Sequence, residues 1–97
     1  MSRPSITQEM RAAVAERYGC RDGETREIGC HYCGDPIVIS RLEPHRTRFL
    51  DGMGRSRPEL DHVHPLFWDG PHTVVNLVPA CLSCNRSKGA RRLEVAP

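Results

Sequence analysis

The residues able to do chemistry fall into two groups. Two cysteine pairs, Cys30-His31-Tyr32-Cys33 and Cys81-Leu82-Ser83-Cys84, each show Cys-x-x-Cys spacing. Between them stands Leu60-Asp61-His62-Val63-His64-Pro65-Leu66, then Asn76-Leu77, and Asn85 follows the last cysteine directly. Four thiolates in this two-plus-two arrangement can hold one zinc ion, and a closed sulfur shell makes such a zinc structural. That zinc would fasten Asp61, His62, Asn76 and Asn85 into one small site. A base, a carboxylate and two amides there suit metal-assisted cleavage of a phosphodiester.

These residues need elements to position them. Residues 5–18 read as a helix, with Ser5 and Gln8 in capping-box spacing and Gly19 as the stop. Ile6, Met10, Ala13, Val14 and Tyr18 fall on one face of it. It is expected to pack over the zinc module, with a DNA-contacting helix as the other reading. Residues 20–29 are polar and glycine-punctuated and read as a loop, in which Cys20 is a spare thiol. Cys30 to Gly34 form a metal knuckle, and Ile37-Val38-Ile39 a short strand. Residues 41–58 show no period and carry Arg41, Arg46, Arg48, Arg55 and Arg57. They are read as a basic loop, either solvated or a phosphate-gripping arm. Residues 59–63 and 74–79 read as strands, and a final helix is expected over residues 85–93.

The chain of 97 residues carries 38 % hydrophobic residues. One domain over residues 1–97 is expected, with a core thin enough to call for a structural metal. Five cysteines are an odd number, which speaks against a pure disulfide framework. No apolar run is long enough to span a membrane, and the N-terminus lacks the apolar run of a signal peptide. A reducing compartment, the cytoplasm of a bacterial cell, is therefore expected. The formal charge is +2. Binding zinc as four thiolates brings it to about 0, so any grip on DNA must come from local patches.

Asp61-His62, Asn76 and Asn85, interleaved with the cysteine pairs, resemble the HNH endonuclease family whose ββα-metal core is held by a four-cysteine zinc site. The likeness runs through Val75-Asn76-Leu77-Val78-Pro79-Ala80-Cys81 and Cys84-Asn85-Arg86-Ser87-Lys88-Gly89, and covers roughly residues 28–90. It implies an α+β fold: a small ββα-metal core stapled by zinc on Cys30, Cys33, Cys81 and Cys84, with an N-terminal packing helix. It implies that His62 is the general base that activates water. Asp61 and Asn85 would hold a catalytic divalent metal, and Asn76 would brace the loop. Hard oxygen ligands favour Mg2+ or Mn2+. The implied products are 5′-phosphate and 3′-hydroxyl ends.

Lys88 and Arg92 lie three and seven residues after Asn85, on one helix face, and are expected to look toward the scissile phosphate. His64 shares strand parity with His62 and is a candidate for contact with phosphate or ligand. His31 and His45 have no assigned chemistry, and His72 is read as structural or close to DNA. The expected function is metal-dependent, single-site nicking of double-stranded DNA by a bacterial, phage or mobile-element endonuclease. Two other readings stay open: a non-catalytic zinc module that binds nucleic acid, and an accessory subunit of a larger DNA-processing complex such as a phage packaging machine.

Overall fold

We describe residues 5–64 and 69–88 from a computed structural model of the chain. Helix α1 spans Gln8–Arg17. Thr7 caps it, its hydroxyl accepting from the Met10 N–H at 3.1 Å. The expected capping box of Ser5 and Gln8 does not form, because the Gln8 side-chain carbonyl accepts from Thr47 N at 2.7 Å. Glu9 in the first turn and Arg17 in the last complement the helix dipole. The helix ends at Gly19, whose φ of +83° suits glycine. Val14 and Ala15 are fully buried, and Ile6, Met10 and Tyr18 pack beside them.

Among the described residues five strands follow. β1 (Thr25–Gly29), β2 (Pro36–Ser40) and β3 (Arg48–Asp51) form an antiparallel sheet in that order. Register pairs Ile28 with Ile37 and Ile39 with Phe49. Ile37 and Ile39 point inward at period two, as a half-buried strand requires. β1 corrects the loop expected over residues 20–29. It is polar and mostly exposed, and it forms through its backbone ladder to β2 rather than through apolar alternation.

β3 likewise corrects the unstructured reading of residues 41–58. Only Phe49 of that strand is fully buried, which leaves no pattern to read. Arg41 is neither solvated nor part of an arm. It is buried and donates to the Cys20 carbonyl at 2.9 Å. Arg55 pairs with Asp51 at 2.7 Å. Arg46 and Arg48 approach Glu43 at 3.8 and 3.7 Å, exposed contacts of little energetic weight.

β4 (Glu59–His62) and β5 (Leu77–Ala80) form a second antiparallel pair, with His62 opposite Leu77 and Asp61 opposite Val78. A 3-10 turn, Val74–Asn76, leads into β5 and takes the first half of the strand expected over residues 74–79. Helix α2 (Leu82–Lys88) follows and packs against β4. It begins inside the second cysteine pair, earlier than expected, and its expected end lies outside the described residues. The arrangement β4, β5, α2 fits a ββα-metal core within an α+β fold.

One core joins the two sheets. Val14, Ala15, Cys20, Ile37, Ile39, Phe49, Leu60, Leu77 and Ala80 belong to a single buried cluster. Arg17 ties α1 to the second sheet by donating to the carbonyls of Val74 and Leu77. Among the described residues no strand of one sheet pairs with a strand of the other. The cysteine cluster supplies a further link between the sheets.

Candidate active site

The first knuckle turns sharply between β1 and β2. Gly34 N donates to the Cys30 carbonyl at 2.9 Å, and Gly34 adopts a φ of +83° that favours glycine. The second knuckle is the step from β5 into α2, where Asn85 N donates to the Cys81 carbonyl at 2.9 Å. His31 N bonds the Pro79 carbonyl at 3.0 Å and so draws the two knuckles together. The sulfurs of Cys30, Cys33, Cys81 and Cys84 all lie within 4.8 Å of one another. Among the described residues this is the one cluster of cysteines, histidines and carboxylates close enough to hold an ion.

Its donor chemistry fits a structural metal such as zinc. Burial raises the Cys30 thiol, but N–H donation from Cys81, Cys33 and Tyr32 outweighs burial and brings its pKa down to about 7. Donation from the Asp35 backbone lowers Cys33, yet burial and the neighbouring thiols of Cys81 and Cys30 leave it raised. Burial and the same crowding push Cys84 far up. A divalent cation reverses that crowding, since all four sulfurs then gain as thiolates. Cys20 stands apart from the cluster: it is fully buried, and its thiol faces the Glu24 carbonyl at 3.5 Å.

Asp61 and His62 are adjacent in β4, so the strand turns their side chains to opposite faces. The Asp61 carboxylate accepts from the Tyr32 hydroxyl at 2.7 Å, on the side of the first knuckle. The His62 ring lies on the other face, with Nε2 2.9 Å from Nδ1 of His72. His72 Nε2 in turn lies 3.1 Å from the Ser5 carbonyl. Asp61 and His62 are 6 % and 2 % exposed. His62 and Asp61 are thus joined through the backbone, each with its own side-chain partner.

Asn76 acts as a clasp. Its side-chain oxygen accepts from His64 N at 2.9 Å, and its amide donates to the carbonyls of His64 at 3.0 Å and Pro71 at 2.7 Å. Its own carbonyl accepts from Val63 N at 2.8 Å. Replacing Asn76 by alanine is expected to cost about 2–3 kcal/mol, since three side-chain hydrogen bonds of about 1 kcal/mol each are lost. Asn76→Asp should also destabilise, because a carboxylate cannot make the two donations. Thermal melting checks both, with an expected drop of about 10–20 °C for alanine.

Asn85 sits half-buried on α2, the helix that packs on β4. His64 is half-buried in the loop that Asn76 clasps. Lys88 is the last described residue of α2, and Arg92 lies outside the described residues. Sequence does not single out Tyr32, and it marks His72 only as structural or close to DNA. Tyr32 lies between the first two cysteines, where the knuckle turn delivers it to Asp61. His72 follows Gly70-Pro71, a turn text that reveals little about where its ring goes.

A strand pair, a following helix and a four-cysteine cluster across their junction define a ββα-metal module. The model of the HNH endonuclease family matches residues 30–91, and the chain belongs to that family. That stretch contains all four clustered cysteines together with Asp61, His62, Asn76 and Asn85. Comparison with curated proteins and with solved structures returns no match. Family membership supports a nuclease-type function and metal binding, and the family's action on DNA supports a nucleic-acid partner.

Proposed function

We propose that the chain is a metal-dependent endonuclease that hydrolyses a DNA phosphodiester, one strand per event. The observation that carries this reading is the placement of Asp61 and His62 at the end of β4, against the helix that bears Asn85. In this reading a phosphodiester at that strand end engages both Asp61 and His62. His62 takes the proton of the attacking water. The neutral imidazole is the form that accepts a proton.

Asp61 and the Asn85 carbonyl are hard oxygen donors that fit Mg2+ or Mn2+. Such an ion, when bound, stabilises charge on the phosphate and on the leaving 3′ oxygen. Tyr32 fixes the Asp61 carboxylate by donating to it. Asn76 holds the loop that follows His62. Lys88, Arg92 and His64 are proposed to bind the flanking phosphates of double-stranded DNA. Zinc in the cysteine cluster is proposed to hold the frame, in a reducing compartment such as the bacterial cytoplasm. No helix among the described residues is long and apolar enough to cross a membrane.

The test is conversion of supercoiled plasmid to the nicked form by zinc-loaded protein, with Mg2+ or Mn2+ added. Asp61→Asn is expected to lower the rate at least about 100-fold, since charge stabilisation by a well-held metal is worth several kcal/mol. Absence of nicking in both metals, or equal nicking by the variant, would overturn the reading. DNA binding that persists without cleavage would favour the non-catalytic zinc module.

A further inference from the structure

We infer that His72 is the positioning residue of the His62 ring and selects the nitrogen on which His62 takes a proton. This rests on the reading of His62 as the base. The hydrogen-bond chain runs Ser5 carbonyl, His72 Nε2, His72 Nδ1, His62 Nε2, at 3.1 and 2.9 Å. A carbonyl only accepts, so His72 carries its proton on Nε2. A neutral His72 then presents a bare Nδ1, which only accepts. The proton between the rings therefore belongs to His62 Nε2. It follows that neutral His62 has its lone pair on Nδ1, a buried atom, and in this proposal that atom accepts a proton when substrate and water occupy the site.

A second, independent set of contacts holds the ring pair. Asn76 bonds the backbone of His64, two residues after His62, and the carbonyl of Pro71, directly before His72. The amide thus clamps together the same two segments that the rings join. The ring planes are tilted by 36° with centroids 5.1 Å apart, a geometry of side-on hydrogen bonding rather than stacking. Burial of His62 removes competing water, so the ring stays where His72 holds it. The chain also gives the lead-in to α1 a task at the site, because its first member is the backbone of Ser5. A proton acceptor held in one tautomer and one orientation is preorganised for transfer.

Two variants separate positioning from packing. His72→Leu fills space without an acceptor. His72→Asn restores an acceptor oxygen close to the place of Nδ1. Steady-state nicking of the zinc-loaded protein is expected to show kcat lowered about 10- to 100-fold in the leucine variant with KM nearly unchanged. The asparagine variant should recover most of the loss, with both variants melting alike. In parallel, ring nitrogen NMR near pH ~8, well above the ordinary histidine value, should show His62 protonated on Nε2 in the unaltered protein, and a mixture of tautomers in the leucine variant.

Full activity of the leucine variant would overturn the proposal. So would a loss that asparagine does not repair and that follows the melting temperature, or a proton found on His62 Nδ1. If the unaltered protein shows the expected spectrum but no nicking, the nuclease reading fails and takes the catalytic use of His72 with it. If it nicks and the spectrum is wrong, the nuclease reading stands and only the role of His72 falls.

Discussion

Cys84→Ser, or stripping of metal by a strong chelator, is expected to unfold the domain at room temperature. Structural zinc contributes an apparent free energy of about 10–16 kcal/mol at neutral pH. A small domain has a net stability of only about 5 kcal/mol to spare. The loss therefore exceeds the margin, even if a third of the zinc affinity is spent against other ligands. The topology says where the loss falls. The first knuckle lies between β1 and β2 of one sheet, and the second lies between β5 and α2 of the other module. Among the described residues, what joins the sheets beyond the cysteines is the small apolar cluster, the reach of Arg17, and two bonds from the first knuckle, His31 N to the Pro79 carbonyl and the Tyr32 hydroxyl to Asp61.

The measurement is far-UV circular dichroism with a parallel assay of bound zinc. Cys20→Ser is the control. It should lose only a modest amount of stability and keep its full zinc content, because Cys20 lies outside the cluster with its thiol turned to backbone carbonyls. The metal-free chain should refold on adding zinc and release protons as it does so, because thiols that are ordinarily protonated at neutral pH bind the ion as thiolates. A stripped sample that melts like the untreated one would remove zinc as the source of stability.

The metal cluster and the ββα order were legible because each rests on residue types with few alternative uses. Cysteine pairs at fixed spacing, interleaved with Asp61-His62, Asn76 and Asn85, leave little freedom for the chain between them. β1 and β3 were not legible, because each buries little of its own and is held by pairing to β2. Register of that kind depends on a partner strand and leaves no local apolar alternation. The helix start was displaced for a similar reason: Gln8, read as half of a capping box, is drawn to a backbone N–H in the loop before β3. At the site, sequence pointed to Asp61 and His62 but not to the directions they face. Adjacent strand positions diverge, and their partners Tyr32 and His72 arrive from turns whose trajectories no spacing encodes.

His62→Asn is expected to lower metal-dependent nicking by about 10²–10⁴-fold, the usual contribution of a positioned general base. Affinity for DNA should stay within a few fold, because the lost interaction develops only as the proton moves. Asparagine suits the test better than alanine. It keeps a polar side chain and leaves a smaller void at a residue only 2 % exposed. Melting and zinc content should therefore stay close to those of the unaltered protein, which separates lost chemistry from lost fold. The double variant His62→Asn, His72→Leu sharpens the result. If His72 acts on catalysis through His62, removing it from a protein that already lacks the base should cost almost nothing more in rate. Two independent contributions would instead multiply. Nicking by His62→Asn at the full rate would leave the catalytic assignment without its base, whatever metal the protein holds.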